Sequence, residues 1–78
     1  MNPEIVREKL RAIVDLNSGK NIVELGLIKS IEVNEDAKRI YVEFAPKGHN
    51  SPSTKFFDTR IRDIVRGMGY DPEIEIDV

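Results

Sequence analysis

Apolar residues recur every three or four positions along the first part of the chain. Val6, Leu10, Ile13 and Val14 fall on one helical face, and Ile5 widens the stripe. Asn2, Pro3 and Glu4 precede it in an order that suits a helix start: a capping side chain, a residue that needs no N–H, and an acid at the positive end of the helix dipole. Glu4–Arg7 and Glu8–Arg11 are spaced to pair on the wet side. The spacing predicts a helix over 3–15, stopped by the turn formers Asp15-Leu16-Asn17-Ser18-Gly19. Ile22, Val23 and Leu25 then anchor a connecting turn, with Gly26 marking a positive φ or a close backbone approach.

From Leu27 the period drops to two. Leu27, Ile31 and Val33 share a face that Lys29 interrupts, and Asn34 to Lys38 form a hairpin connection. In the strand that follows, Ile40, Val42 and Phe44 face one way and Tyr41 and Glu43 the other. Pro46-Lys47-Gly48-His49-Asn50-Ser51-Pro52 is a loop. A second helix over 53–67 carries the stripe Phe57, Ile61, Ile64, Val65 and Met68, with Gly67 and Gly69 at its end. Tyr70-Asp71-Pro72 is a turn, and 73–78 is a strand with apolar even positions and acidic odd ones. The order α-β-β-α-β over 1–78 is that of one small α+β domain. It is a two-layer sandwich with two helices on one face of a three-stranded sheet.

Composition sharpens this picture. The chain has 78 residues and no cysteine. A domain this small buries only about 60% of its unfolded surface. Without Cys, neither disulfides nor thiolate-bound zinc staples it, and apolar packing must hold the fold. A cysteine nucleophile and an all-thiolate cluster site within the chain are excluded for the same reason. Twelve basic residues against 14 acidic ones give a net charge of −2, which argues against a globally basic nucleic-acid binder. No apolar stretch approaches the roughly 18 residues of a membrane span, and no basic-then-apolar leader opens the chain. A cytoplasmic location is expected.

The loop 46–52 and the helix start beyond it hold the densest candidate chemistry. Free N–H groups at a helix N-terminus attract anions, and Lys47, His49, Ser51, Ser53, Thr54 and Lys55 could add donors. The plainer reading is that Ser51 or Ser53 caps the helix. His49 beside Ser51 lacks a local acid for nucleophilic catalysis, and a solvated histidine is the better reading. Asp15 and Glu24 flank the first turn. They could pair for acid–base work or a metal, or Asp15 could satisfy backbone donors in its turn. The α-β-β-α-β order evokes a nucleic-acid-binding KH module, but the Gly-x-x-Gly grip of that module is absent.

The run Ala12-Ile13-Val14-Asp15 through Ile22-Val23-Glu24-Leu25-Gly26-Leu27-Ile28 resembles the opening signature of the PaaD/SufT-like metal–sulfur cluster biosynthetic family (domain of unknown function fifty-nine). The resemblance spans nearly the whole chain. That family ends its first helix in Val-x-Asp-Pro-Glu, follows with Ile-Val-x-Leu-Gly-Leu-Val and a hairpin, and enters its second helix through Thr-x-x-x-Cys-Pro. Here Asp15 matches the family Asp, Leu16 stands where Pro is usual, Lys47 falls near the Thr, and Ser51-Pro52 aligns with Cys-Pro. The chain thus looks like a divergent member lacking the family cysteine. A thiol at a helix N-terminus ionises readily and binds soft metals; a serine does neither well.

The resemblance implies an iron–sulfur cluster assembly domain-like fold. It also implies an accessory or adaptor role in iron–sulfur cluster assembly, acting through protein–protein contacts rather than direct cluster ligation. The expected binding surface comprises Asp15, Glu24, Lys47, His49, Ser51, Ser53, Thr54 and Lys55. No catalytic residue, metal ligand or cofactor is expected, and no enzyme activity. The expected partners are the iron–sulfur assembly machinery or its client proteins, with a homodimer left open by exposed strand edges. A membrane or nucleic-acid partner is not expected. The alternative is an anion- or nucleic-acid-binding module using the N-terminus of the second helix and its basic residues.

Overall fold

The computed structural model describes residues 1–46 and 52–77. Its elements are α1 (Pro3–Leu10), β1 (Ile28–Asn34), β2 (Arg39–Phe44), α2 (Pro52–Gly67) and β3 (Asp71–Ile76). The order is the expected α-β-β-α-β. The sheet runs β1-β2-β3, with β1 antiparallel and β3 parallel to β2. A parallel pair needs a long crossover, and α2 supplies it.

α1 starts as its sequence requires: the Ile5 N–H donates to Asn2 Oδ1 at 3.0 Å. It stops at Leu10, short of the expected 15. The N–H groups of Arg11, Ala12 and Ile13 donate to carbonyls three residues back, at 3.2, 3.3 and 3.1 Å, so the chain tightens and leaves the helix. Val14 then forms an antiparallel bridge with Asn21. Flanking bonds run from the Ile22 N–H to the Ile13 carbonyl (3.0 Å) and from the Asp15 N–H to the Lys20 carbonyl (2.8 Å). The helical spacing continues to Val14, but β-branched residues followed by Asp, Asn and Ser favour a bridge and a turn over further helix. Ile13 is buried in this extended segment, while Val14 is 40% and Ile5 45% exposed.

The connecting turn is a single capped turn. The Glu24 N–H donates to Asn21 Oδ1 at 2.8 Å, and Glu24 Oε1 accepts from the Asn21 N–H at 3.1 Å and from Asn21 Nδ2 at 2.7 Å. This reciprocal pair is a capping box. The turn closes with Leu27 N–H to Ile22 carbonyl (3.1 Å) and Gly26 N–H to Val23 carbonyl (3.0 Å), and Gly26 has φ +72°. That is a Schellman ending, with Ile22 and Leu27 both buried. α2 ends the same way, with Gly69 at φ +91°.

The interruption at Lys29 has a structural cause. Ile28 pairs with Phe44 and Ser30 with Glu43, so Lys29 is an extra residue in the ladder. The bulge turns Lys29 to solvent and sets Ile28 and Ile31, three apart, both into the core. β3 begins at Asp71, earlier than the expected 73, and takes in Pro72. Asp71 and Asp77 donate to the Lys38 and Phe44 carbonyls, so odd positions face β2 and Pro72 occupies a position that owes β2 no N–H.

The core lies between the sheet and the helices. Phe44, Leu10, Ile13, Ile22, Ile40, Ile61, Val6, Val42 and Val65 are fully buried in it. Phe57 meets Phe44 edge-on, with centroids 6.2 Å apart. Among the described residues no polar side chain is buried, and no helix is long and apolar enough to cross a membrane.

Candidate functional site

The turn after α1 and the first turns of α2 meet at the end of the sheet where β1 begins. A cleft of about 420 Å³ there is lined by Asp15, Asn17, Leu25, Leu27, Pro46, Ser53, Thr54 and Phe57. It shares Asp15, Asn17, Ser53 and Phe57 with an adjoining hollow of about 330 Å³, whose remaining lining is Val14, Leu16 and Phe56.

Asp15 shapes this end of the molecule. Its Oδ1 accepts the Asn17 N–H at 3.1 Å, its Oδ2 accepts the Ser18 hydroxyl at 3.1 Å, and its carbonyl accepts the Gly19 N–H at 2.8 Å. Both carboxylate oxygens are therefore engaged in the turn. Glu24 is held by Asn21 and does not line the cleft. The two acids thus serve separate turns and do not share the cleft. Ser53 and Thr54 line the cleft from α2, whereas Lys55 is exposed beside it. Lys47, His49 and Ser51 lie outside the described residues.

Three apolar residues absent from the expected surface dominate the hollow. Leu16 is 91% exposed, Phe56 51% and Val14 40%. Phe56 rests against Phe57, with ring centroids 5.7 Å apart. Two signals point to them in the sequence. Adjacent Phe56 and Phe57 sit about 100° apart on a helix, and the core stripe Phe57, Ile61, Ile64, Val65 and Met68 places Phe56 at its edge. Leu16 is an apolar residue inside a polar turn cluster.

Elsewhere, polar groups on two parts of the surface pair within the chain. On the open sheet face, the Ser30 hydroxyl donates to Glu43 at 3.1 Å, and the Tyr41 hydroxyl donates to Glu75. A hydrogen bond with the Asp77 carboxyl raises Glu43 above its ordinary pKa, against the opposing donation from Ser30. The bond to Glu75 likewise raises Tyr41. At the hairpin end, Glu35 accepts the Met1 ammonium at 2.7 Å and the Tyr70 hydroxyl. These two donors, the ammonium first, lower its pKa.

Residues 3–78 match the family described as iron–sulfur cluster assembly protein. The chain belongs to that family. This agrees with the resemblance carried by Asp15 and the Leu25-Gly26-Leu27 segment. Among solved structures, a domain of unknown function, DUF59, from Bacillus anthracis superposes with a TM-score of 0.83 at 15% identity. It is matched over 96% of this chain and 73% of that one. Rv1466 from Mycobacterium tuberculosis, described as associated with [Fe-S] complex assembly and repair, gives a TM-score of 0.63 at 23% identity. That match covers 94% of this chain and 65% of Rv1466, so the chain spans less than two thirds of that protein. At these identities the likeness is one of fold. No curated protein matches the chain.

Iron–sulfur clusters are held chiefly by cysteine thiolates. This member of the assembly family has no cysteine, and among its described residues no group of three or more His, Cys, Asp or Glu is placed to hold a metal ion. The donors present do not fit a cluster, and none of its chemistry is assigned to these residues.

Proposed function

We propose that the chain is a non-catalytic accessory of iron–sulfur cluster assembly that works through protein contacts, with the cluster carried by its partners. Family membership supports the assembly role. The observation that carries the contact role is the exposed apolar patch at the cleft, with Leu16 91% exposed beside Phe56 and Val14. Contiguous exposed apolar surface marks interaction sites more often than scattered single residues do. The apolar content of the lining, Leu25, Leu27, Phe56 and Phe57, favours a protein surface over a small anion.

Affinity capture of the intact chain from native extract, read by mass spectrometry against a tag-only control, tests this. Enrichment of a cluster-assembly component is the expected result. Absence of any such component, under conditions that preserve known assembly complexes, overturns the proposal.

A further inference from the structure

The patch has a fixed geometry and a charged rim. Phe56 leans on Phe57, which is only 6% exposed and itself packs edge-on against Phe44. An exposed ring anchored this way to the core is preorganised for contact, so a partner gives up less ordering entropy in covering it. On α2, Lys55 is adjacent to Phe56 and Arg60 lies one turn further along the same side. Lys20 closes the Asp15 turn. Among the described residues, Lys20, Lys55 and Arg60 form no ion pair. Of the nearby acids, Asp58 is paired with Arg62 at 3.1 Å, Asp15 accepts from neutral donors of its own turn and keeps its charge, and Asp63 lies one turn beyond Arg60. The three cations Lys20, Lys55 and Arg60 outnumber Asp15 and Asp63, so the rim keeps a positive excess although the chain as a whole is net negative at −2.

Taking its partner from the adaptor reading above, we infer that the Val14–Leu16–Phe56 patch docks an acidic amphipathic segment of a partner protein. The segment's apolar side chains cover Leu16 and Phe56, and its carboxylates meet Lys20, Lys55 and Arg60. Complementary rim charges act mainly on specificity and on-rate, while the apolar contact supplies the binding.

The test titrates the full isotope-labelled chain with a synthetic helical peptide carrying Leu and Phe on one face and Glu on the other. A twin peptide has every Glu replaced by Lys. The acidic peptide is expected to shift backbone amides of residues 14–20 and 53–60. It should bind at least about tenfold more tightly than its twin and weaken as salt rises. Leu16→Asp, checked for an otherwise unchanged amide spectrum, should weaken binding about tenfold or more, and Glu32→Lys on the open sheet face should not. Equal binding of the two peptides, shifts confined to another surface, or indifference to Leu16→Asp overturns the inference. So does a concentration-dependent dimer abolished by Leu16→Asp, which would make a second copy the occupant, or displacement of the peptide by an oligonucleotide. The two readings fail separately. Specific peptide binding with no assembly component captured from extract keeps this surface and removes the adaptor role. An assembly component captured equally by wild type and Leu16→Asp does the reverse.

Discussion

On the open face of the sheet, polar groups answer one another within the chain. Ser30 donates to Glu43 and Tyr41 to Glu75 across the strands. At the cleft end, Val14, Leu16 and Phe56 are exposed in a group, and their polar neighbour Asp15 is turned to its own backbone. Neither surface is covered by a packed layer, yet they differ in kind. Water and cross-strand bonds complete the first. Nothing in the described chain completes the second, because exposed apolar area is relieved only by another apolar surface. Lack of cover therefore does not by itself mark an interface; an anchored apolar group on an uncovered surface does.

The comparison breaks most forcefully at Phe57, which supports the patch from beneath. It is 6% exposed and touches both Phe44 and Phe56. Phe57→Ala should lower stability by about 3–5 kcal/mol, read from urea unfolding followed by far-UV circular dichroism. A loss below about 1 kcal/mol would mean that Phe56 is not anchored through the core, and the patch would lose its distinguishing feature.

Gly26 tests the turn that supplies Leu25 and Leu27 to the cleft. An added Cβ would meet nothing within 4 Å, so the penalty comes from the backbone at φ +72° alone. Gly26→Ala should reduce stability by about 1–2 kcal/mol, measured in the same way. An unchanged midpoint would show that the turn relaxes freely and does not fix the cleft wall.

Most of the fold is legible in the sequence because period-two and period-3.6 patterns report burial directly. Ile40, Val42, Phe44, Phe57, Ile61 and Val65 all occupy the core as their spacing implies. Misreadings arise where backbone hydrogen bonding overrides side-chain period. α1 ends at Leu10 because Val14 bridges Asn21, and Lys29 leaves the ladder as a bulge. The candidate surface is half legible. Asp15, Ser53 and Thr54 meet at the cleft, but Glu24 serves a cap. Leu16 stands out only as an apolar residue in a polar turn; a single such residue has no period to report burial, and its exposure follows from the path of the chain after α1.

Charge on the open face gives a smaller effect with a defined sign. Glu43 has a raised pKa, so the fold favours its protonated form. Its contribution to stability is full below the unfolded value, near 4.5, and is lost as pH rises through the raised folded value. Glu43→Gln keeps a neutral side chain at every pH. The melting temperature of the variant relative to wild type should therefore rise between about pH 4 and pH 7. A difference that stays flat or falls with pH would show that Asp77 does not press on Glu43, and the open face would not be the self-paired surface described above.

The smallest effect separates the two surfaces most cleanly. Leu16 is 91% exposed, so its side chain is almost as wet in the folded protein as in the unfolded chain. Leu16→Asp should change the unfolding free energy by no more than about 0.5 kcal/mol, by chemical denaturation at neutral pH. A loss above about 1 kcal/mol would show that Leu16 has a partner within its own fold, and the cleft end would then be as self-completed as the sheet face. A near-zero change gives the opposite result: a leucine set on a core-anchored apolar surface contributes nothing measurable to holding that surface together. Whatever Leu16 contributes is then to be found in binding, and the same variant serves both measurements.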